Sequence, residues 1–364
     1  MQKRVFKAHF LIGTNITLFE VNFGMNKNLT SRQRISALTQ LGDILKKPDA
    51  ELSLLINSSQ QHNAWFTPEN TAKAIAAIAG MLNSKDLDSW IEDKDSAYTP
   101  LNIGLVLAGN IPLVGFHDIL SVLGSGNRAL IKLSSQDKKL TPFILSKLTE
   151  IEPGFEELIS YVEKLTDYDA IIATGSNNTS RYFEYYFSKV PHIIRKNRNS
   201  IALLTGNENS EDLKALGNDI FDYFGLGCRN VSKIYVPKGY NFNHFFESIK
   251  EFNYVINHHK YNNNYDYNKS IFLVNMDKHL DNGFLLLKED HRLASPLAVI
   301  YFEEYDNIQN LEQKLQTIED QIQCIISNAE LNIKTYDFGK SQQPGLQDYA
   351  DGIDIMRFLR ELGQ

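Results

Sequence analysis

From Asn102 onward the sequence alternates between short apolar runs and longer amphipathic segments. NIGLVLAG, ALIKL and DAIIATGS have the length and apolar content of buried strands, with helical segments after each. A second series begins at SIALLTG and continues through KIYVP, SIFLVN and LAVIYFEEY. Parallel βαβ units, buried on both faces, produce this pattern. The sequence therefore predicts an α/β fold with two doubly wound lobes and a cleft between them.

The residues before Asn102 are predicted to be mostly helical after a short β start. LTSRQRISALTQLGDILKK and WFTPENTAKAIAAIAGMLN each combine an N-cap with apolar residues at helical spacing. A chain of 364 residues exceeds one ordinary core, so about two domains are expected. The helical segments would cover one face of a sheet.

Composition narrows the possible environment and partners. The net charge of −7 argues against nucleic acid or an anionic membrane as the main partner. Two cysteines far apart in sequence provide no disulfide framework, which suits a reducing cytoplasm. The N-terminus lacks the apolar run of a secretory signal. The apolar stretch 103–131 contains polar residues and glycines, so we interpret it as a strand, helix and strand rather than a membrane span.

Residues 253–269, NYVINHHKYNNNYDYNK, are rich in Asn and Tyr. We interpret them as a solvated insertion loop, with a mobile flap over a substrate tunnel as the functional alternative. The adjacent His258 and His259 do not have the spacing of metal ligands. No metal site is predicted anywhere in the chain.

Two glycine-containing stretches are candidate nucleotide sites. Residues 124–129, GSGNRA, match GxGxxA, but a helix precedes them and a strand follows, so they are interpreted as a turn. DAIIATGSNNTSRYFEYYF has the correct strand-then-helix order, with Gly175 and Ser176 between the two elements. Free N–H groups at that helix start would attract a pyrophosphate, although an ordinary βα loop uses the same residues.

Further polar residues follow the predicted strands. Lys132 ends ALIKL, Ser134 and Ser135 come directly after it, and Asn110 follows NIGLVLAG. The carboxyl ends of parallel strands line the ligand crevice, so Lys132 could meet a ribose or its phosphate. The Asn110 amide could donate to a developing oxyanion, or Asn110 could simply be a turn residue before a proline-led helix.

Cys228 stands in the tight segment FGLGCRNVSKIYVP. Buried free cysteines are common, so a packing role is one reading. Gly225 and Gly227 would leave room for a substrate carbonyl, and Arg229 would favour the thiolate. These residues alone leave packing and chemistry equally open.

Taken in order, these segments resemble the aldehyde dehydrogenase superfamily, and more closely its acyl-CoA reductase branch, typified by the fatty-acid reductase of bacterial luminescence. The likeness rests on LVLAGNIPLVGFHDILSVLGSGNRALIKLSSQDK, IIATGS, FGLGCRNVSKIYVP and the tail QDYADGIDIMRFLREL. It covers roughly Pro100 to the C-terminus. It implies an aldehyde dehydrogenase-like fold with the active site between the lobes.

The resemblance assigns roles to individual residues. Cys228 stands at the nucleophile position and Asn110 at that of the oxyanion-hole amide. Lys132, with Ser134 and Ser135, stands where the superfamily contacts the adenosine ribose. Gly175 and Ser176 stand at the turn beside the pyrophosphate.

Three departures from the superfamily pattern are informative. Ile194 occupies the position of the glutamate that activates water in oxidising members, and its loss fits a reductase. Ser135 stands where NAD-preferring members often carry a glutamate, which favours NADPH. Arg292 lies near the place of the acidic residue that holds the nicotinamide ribose. His192 and His117 are candidates for the proton donor in release of the product, with a core histidine as the alternative for either, and the sequence does not choose between them.

The expected function is NADPH-dependent reduction of a fatty acyl-CoA, or an acyl-protein thioester, to the aldehyde. The alternatives are reduction of an acyl phosphate or short-chain acyl-CoA, and a catalytically silent nucleotide-binding scaffold. The expected domains are 1–200, a helical layer plus the cofactor-binding domain, and 201–325, the catalytic domain. Residues 326–364 would form a tail on the cofactor domain or a partner subunit. A homo-oligomer, with an acyl-transferring partner as a further possibility, is expected from the resemblance.

Overall fold

The computed structural model describes residues 28–91, 99–175 and 177–362. The short β start expected near the N-terminus lies outside these residues. The first described elements are four helices: α1 Ser31–Lys46, α2 Ala50–His62, α3 Pro68–Met81 and α4 Ser84–Trp90. Thr30 and Gln33 form a reciprocal capping box at α1, and Thr67 caps α3 ahead of Pro68. Both predicted helices are confirmed, whereas α2 and α4 were not predicted.

The first sheet is built from strands that alternate with helices. Its elements are β1 Asn102–Val106, α5 Phe116–Gly124, β2 Arg128–Lys132, α6 Leu140–Ile151, β3 Ile159–Tyr161, β4 Ala170–Thr174, α7 Asn177–Phe187 and β5 His192–Arg195. The strand order is β3-β2-β1-β4-β5, and every pairing is parallel. The chain moves outward in one direction from β1 and then in the other. The carboxyl ends of β1 and β4 are therefore the switch point at which such sheets bind ligands.

The second sheet follows the same pattern. Its elements are β6 Asn199–Leu203, α8 Ser210–Phe221, β7 Val231–Pro237, α9 Asn243–Ser248, α10 His259–Val274, β8 Leu280–Asp281, β9 Leu286–Glu289, β10 Val299–Tyr305, α11 Ile308–Thr317 and β11 Ile322–Ile326. The order is β11-β6-β7-β10-β9-β8, parallel except for the short β8–β9 pair. The final helix, α12 Ile355–Leu362, buries Ile355 and Leu359 in the core of the first sheet.

The loop predicted for residues 253–269 is wrong. A 3-10 helix spans Lys250–Asn257 and α10 follows it, with the His258 side chain accepting from the Tyr261 backbone N–H. Tyr261 and Tyr265 are buried in the second core, and the Tyr261 hydroxyl donates to the Phe284 carbonyl over 3.0 Å. Aromatic packing on one face therefore stabilises a helix whose other face carries most of the asparagines.

The strand predicted for SIFLVN is also wrong, because these residues form the last turn of α10 and its end. Phe272 packs inward, while Leu273 and Val274 are exposed. Within the described residues, no helix is long and apolar enough to cross a membrane. The stretch 103–131 contains β1, α5 and β2, as the sequence predicts, and GSGNRA is the turn between α5 and β2.

Candidate active site

The predicted cofactor residues of the first sheet lie at one edge. Val106, at the end of β1, is level with Lys132 of β2 on one side and Ala173 of β4 on the other. Asn110 and Gly175 follow β1 and β4, so the segments that carry these residues and Lys132 leave the sheet at its carboxyl edge. Ser176 lies outside the described residues.

Cys228 lies in the connection between α8 and β7. Three consecutive residues before it have left-handed backbone, namely Tyr223 (φ 54°), Phe224 (φ 58°) and Gly225 (φ 78°). Only the glycine adopts this conformation without steric cost. The Tyr223 backbone N–H donates to the Asn70 side chain over 3.2 Å, and the ring of Phe224 packs on Trp65. Contacts from the helical layer thus stabilise a strained turn just ahead of the cysteine.

Asn230 fixes the same connection from its other side. Its side chain is buried and accepts from the Gly227 backbone N–H over 2.8 Å. Its amide donates to the carbonyls of Asp219 (3.1 Å) and Asp222 (2.8 Å) at the end of α8. Cys228 is therefore flanked by residues whose backbone is tied to a helix end.

Asn110 links the first sheet to the segment between α8 and β7 that carries Cys228. Its Nδ2 donates to the Leu226 carbonyl over 2.7 Å. The neighbouring Ile111 also approaches, since a Cβ added at Gly227 would lie 3.4 Å from its side chain. The structure therefore brings the Asn110 turn against the segment that carries Cys228. One amide N–H of Asn110 is engaged in this contact, and the side chain has a second.

Cys228 is exposed to solvent, and its carbonyl accepts from the Ser200 hydroxyl over 2.9 Å. Despite that exposure, the surrounding protein limits hydration of a thiolate, which raises the pKa of Cys228 above its ordinary value. Arg229 and Arg195 act in the opposite direction, and Asp351 adds to the rise. The expected effect of Arg229 on the thiolate is thus present but does not outweigh desolvation.

Arg229 itself points toward the C-terminal part of the chain. Its guanidinium donates to the Cys324 sulfur over 3.2 Å and to the Asp348 carbonyl over 2.8 Å. It also lies over the Tyr336 ring. Cys324, the other cysteine, is buried and does not share the exposure of Cys228.

The ring of each histidine that is a candidate proton donor forms a hydrogen bond with a backbone carbonyl. His192 begins β5 at the amino edge of the first sheet, opposite to Asn110, and its Nδ1 lies 2.8 Å from the Val190 carbonyl. The His117 ring packs between Trp90 and Tyr349, with Nε2 2.9 Å from the Leu346 carbonyl. Burial lowers the pKa of His117. Ile194 lies half-buried in β5, and its side chain is apolar rather than a carboxylate.

The carboxyl edge of the first sheet fits an anionic nucleotide. Lys132 is exposed there, and it forms no ion pair among the described residues. A Cβ at Gly175 would come within 2.9 Å of Phe183, so glycine permits β4 to pass directly into α7. The first turn of α7 contains no acidic residue to repel a phosphate.

The two serines after Lys132 differ in their surroundings. Ser134 packs against Gly109, where a Cβ would lie 2.6 Å from the serine Cβ, and its hydroxyl accepts from the Gln136 backbone N–H over 3.3 Å. Ser134 therefore joins the turns after β1 and β2. Ser135 is exposed, with no carboxylate at its position.

Arg292, which the resemblance places near the acidic residue that holds the nicotinamide ribose, is bound in an ion pair with Asp290. Its guanidinium forms two bonds to Asp290, of 2.9 and 2.6 Å, and one to the Tyr301 hydroxyl of 2.8 Å. These bonds to Arg292 lower the pKa of Asp290 to about 2. The ion pair lies within the loop after β9, and the bond to Tyr301 joins that loop to β10.

Sequence reasoning missed a buried ion pair near the cysteine. Arg195, the residue after Ile194, donates to Asp118 of α5 over 2.6 Å, and both side chains are buried. Asp351 of the C-terminal tail also acts on Arg195 and on Cys228 through its charge. The sequence signal for this pair was that Arg195 directly follows two isoleucines in HIIRKN, and that Asp118 lies within the mainly apolar FHDILSVLG. The described part of the chain contains no cluster of His, Cys, Asp and Glu that could hold a metal ion.

Comparison with known proteins gives a family and a fold. A family model described as acyl-CoA reductase (LuxC) matches residues 45–249, more than half of the chain. No curated protein matches the sequence significantly. The similar solved structures include several aldehyde dehydrogenases, which confirms the predicted fold.

Three of these structures illustrate the likeness. Aldehyde dehydrogenase 21 from Physcomitrella patens, in complex with the reaction product succinate, has a TM-score of 0.62 and 11% identity over 93% of this chain and 85% of its own. KauB from Pseudomonas aeruginosa has a TM-score of 0.61 and 14% identity over 83% and 73%. A Mycobacterium tuberculosis aldehyde dehydrogenase complexed with NAD+ has a TM-score of 0.58 and 13% identity over 83% and 78%.

Proposed function

The chain belongs to the acyl-CoA reductase (LuxC) family, whose members are oxidoreductases, and on that premise we propose a specific reaction for it. The protein reduces a fatty acyl-CoA, or an acyl-protein thioester, to the aldehyde with NADPH, through an acyl-enzyme on Cys228. The observation that carries the proposal is the bond from the Asn110 amide to the Leu226 carbonyl, because it brings an amide donor of the first sheet against the segment of an exposed cysteine.

The first step forms the acyl-enzyme. The Cys228 thiolate attacks the thioester carbonyl carbon, a new S–C bond forms, and the S–C bond to CoA breaks with release of its thiolate. The second amide N–H of Asn110 and the backbone N–H of Cys228 would donate to the carbonyl oxygen as negative charge develops on it. Asn110 is suited to this role because its first N–H bond to Leu226 fixes its orientation.

The absence of a carboxylate at position 194 supports reduction over hydrolysis. A base beside the acyl-enzyme would activate water and release a fatty acid. Ile194 provides an apolar side chain instead. The acyl-enzyme would therefore persist until it is reduced. The thiohemiacetal then formed on Cys228 collapses to the aldehyde, and the thiol of the enzyme is regenerated.

The cofactor would bind at the carboxyl edge of the first sheet. Lys132, Ser134 and Ser135 would contact the adenosine ribose, and Gly175 and Ser176 would lie beside the pyrophosphate at the start of α7. A bound nicotinamide would supply the hydride. With an exposed serine at position 135 and Lys132 nearby in sequence, a ribose 2′-phosphate meets no carboxylate there, which favours NADPH over NADH. The first sheet would thus hold the cofactor, and the second carries the nucleophile.

A substrate panel tests the proposal. We expect NADPH oxidation with long-chain acyl-CoA and weaker oxidation with NADH, and we expect the aldehyde as product. Preferential turnover of an acyl phosphate or a short-chain acyl-CoA would assign the protein to the corresponding alternative reaction. Binding of NADPH without turnover of any of these substrates would indicate a silent scaffold. A cytoplasmic homo-oligomer is part of the same proposal.

A further inference from the structure

A small apolar cavity lies beside the segment that carries Cys228. Its volume is about 50 Å³. Both ends of that segment contribute to its wall, with Phe224 and Gly225 before the cysteine and Val231 and Ser232 after it. The rest of the wall comes from α8, α10 and the chain around the starts of β9 and β10. The backbone that positions the proposed nucleophile therefore also borders an apolar cavity.

The wall of this cavity favours an apolar occupant over water. Its three side-chain hydroxyls, of Ser232, Ser295 and Tyr261, each donate to a backbone carbonyl, over 2.8, 2.5 and 3.0 Å. The other side chains that line it are aliphatic or aromatic. A buried water needs two to four polar partners, so an apolar cavity of this kind stays dry. At about 10–15 Å³ for one water-sized group, the cavity accepts roughly three to five methylene groups.

The cavity reaches the protein surface at Gly225 and Pro296. These two lining residues are exposed, whereas Phe221 and Val299, which also line the cavity, are buried. Leu297 lies next to the opening, since a Cβ added at Gly225 would be 3.6 Å from its side chain. Glycine at position 225 therefore leaves the entrance free of a side chain.

This entrance is close to Cys228. The cysteine lies in a tight turn, in which the Asn230 backbone N–H donates to the Gly227 carbonyl over 3.0 Å. Cys228 and Gly225 are both exposed and are three residues apart, so their Cα atoms are separated by at most about 11 Å, at about 3.8 Å per residue. A long acyl chain on the Cys228 sulfur spans that distance, whereas an acetyl group does not.

We propose that this cavity binds the terminal carbons of the acyl chain that Cys228 carries, and that it selects long-chain over short-chain acyl groups. The inference rests on the proposed function in taking Cys228 as the acylated residue. It adds the place of the acyl chain and the reason for a chain-length preference. The chain enters at Gly225, and its end fills the space between Phe221 and Val299.

The experiment measures binding without chemistry. Cys228→Ala full-length protein is titrated with saturated acyl-CoAs from butanoyl to octadecanoyl, below their micellar concentrations, and the Kd is obtained by calorimetry. Once the chain is long enough to enter the cavity, we expect each added methylene to lower the Kd about four-fold. The Kd should stop falling at the chain length that fills the cavity.

Two further substitutions, each combined with Cys228→Ala, change the cavity in opposite directions. Val299→Ile adds one methylene to the wall, so the Kd should stop falling one carbon earlier, and the chain that fills the wild-type cavity should bind about four-fold more weakly. Phe221→Leu enlarges the cavity, so the Kd should continue to fall to a longer chain. Val236→Ile is the matched control, because Val236 is a buried valine of the same core that does not line the cavity. Its profile should equal that of Cys228→Ala alone.

The result that would overturn the proposal is a limiting chain length that is the same in Val299→Ile, Phe221→Leu and the control. If one of the two cavity variants fails to fold, the other still decides the question. A Kd that does not depend on chain length would also overturn it.

The same proteins separate this inference from the proposed function. Limiting chain lengths that move as expected, in a protein whose Cys228 no acyl-CoA acylates, support the acyl site and refute the proposed reaction. Acylation of Cys228 in the wild-type protein, combined with limiting chain lengths that do not move, supports the reaction and refutes this site for the acyl chain.

Discussion

Replacing Asn230 with alanine tests how the structure positions Cys228. The side chain makes three bonds of 3.1 Å or less, to the Gly227 N–H and to the carbonyls of Asp219 and Asp222. At about 1 kcal/mol for each bond, Asn230→Ala should lower the free energy of unfolding by about 3 kcal/mol. The segment before Cys228 would also lose its attachment to α8. A displacement of about 1 Å at a reacting atom reduces rates by about 100-fold.

Two assays follow these effects separately. Urea denaturation measures the loss of stability, and the rate of Cys228 acylation by a long-chain acyl-CoA is measured under conditions in which the variant is folded. Asn127→Ala is the matched control, because Asn127 is equally buried and its side chain bonds the Leu101 N–H and the Ser125 hydroxyl, each over 3.0 Å. The control should lose about 2 kcal/mol and keep its acylation rate. A folded Asn230→Ala protein with wild-type acylation would refute the reasoning.

Three further predictions concern other residues. Ser135→Glu should raise the KM for NADPH about ten-fold or more through repulsion of the 2′-phosphate, whereas Ser135→Gln should not; equal effects of the two would exclude the electrostatic explanation. Ile194→Glu should convert part of the acyl-enzyme to fatty acid without NADPH, measured as acid released, and Ile194→Gln should release none. Burial raises the pKa of Asp219 to about 6, above its value in the unfolded chain, so the folded state binds this proton more tightly. The stabilisation from this proton is present below about pH 4 and is lost as the pH rises to about 6. Urea titrations between these limits should therefore show that wild type loses roughly 3 kcal/mol of unfolding free energy relative to Asp219→Asn. A difference in unfolding free energy that does not change with pH would contradict this prediction.

Much of the fold could be predicted because buried parallel strands are continuous apolar runs. The segments NIGLVLAG, ALIKL and DAIIATGS were sufficient to locate β1, β2 and β4. GSGNRA was excluded as a nucleotide site because a helix precedes it and a strand follows it, the reverse of the order that a nucleotide site requires. At residues 253–275 the composition predicts the wrong structure, whereas the spacing of the apolar and aromatic residues predicts the helix. Tyr261, Tyr265, Asn268 and Phe272 are buried at helical spacing, a pattern visible in the sequence.

The surroundings of the candidate site were less accessible to sequence reasoning. The Arg195–Asp118 pair joins residues 77 positions apart, and only the tertiary fold brings them together. The sequence likewise gave no means to weigh the opposing effects on the Cys228 thiol. Desolvation outweighs Arg229 because of how much protein surrounds the sulfur, which depends on the tertiary structure.

The most direct test of the account is covalent. The protein is incubated with a long-chain acyl-CoA in the absence of NADPH, and intact mass and peptide mapping locate any adduct. The account predicts one acyl group on Cys228, present in Cys324→Ser, absent in Cys228→Ala, and released as aldehyde when NADPH is added. An adduct at another residue, or undiminished NADPH oxidation by Cys228→Ala, would contradict it.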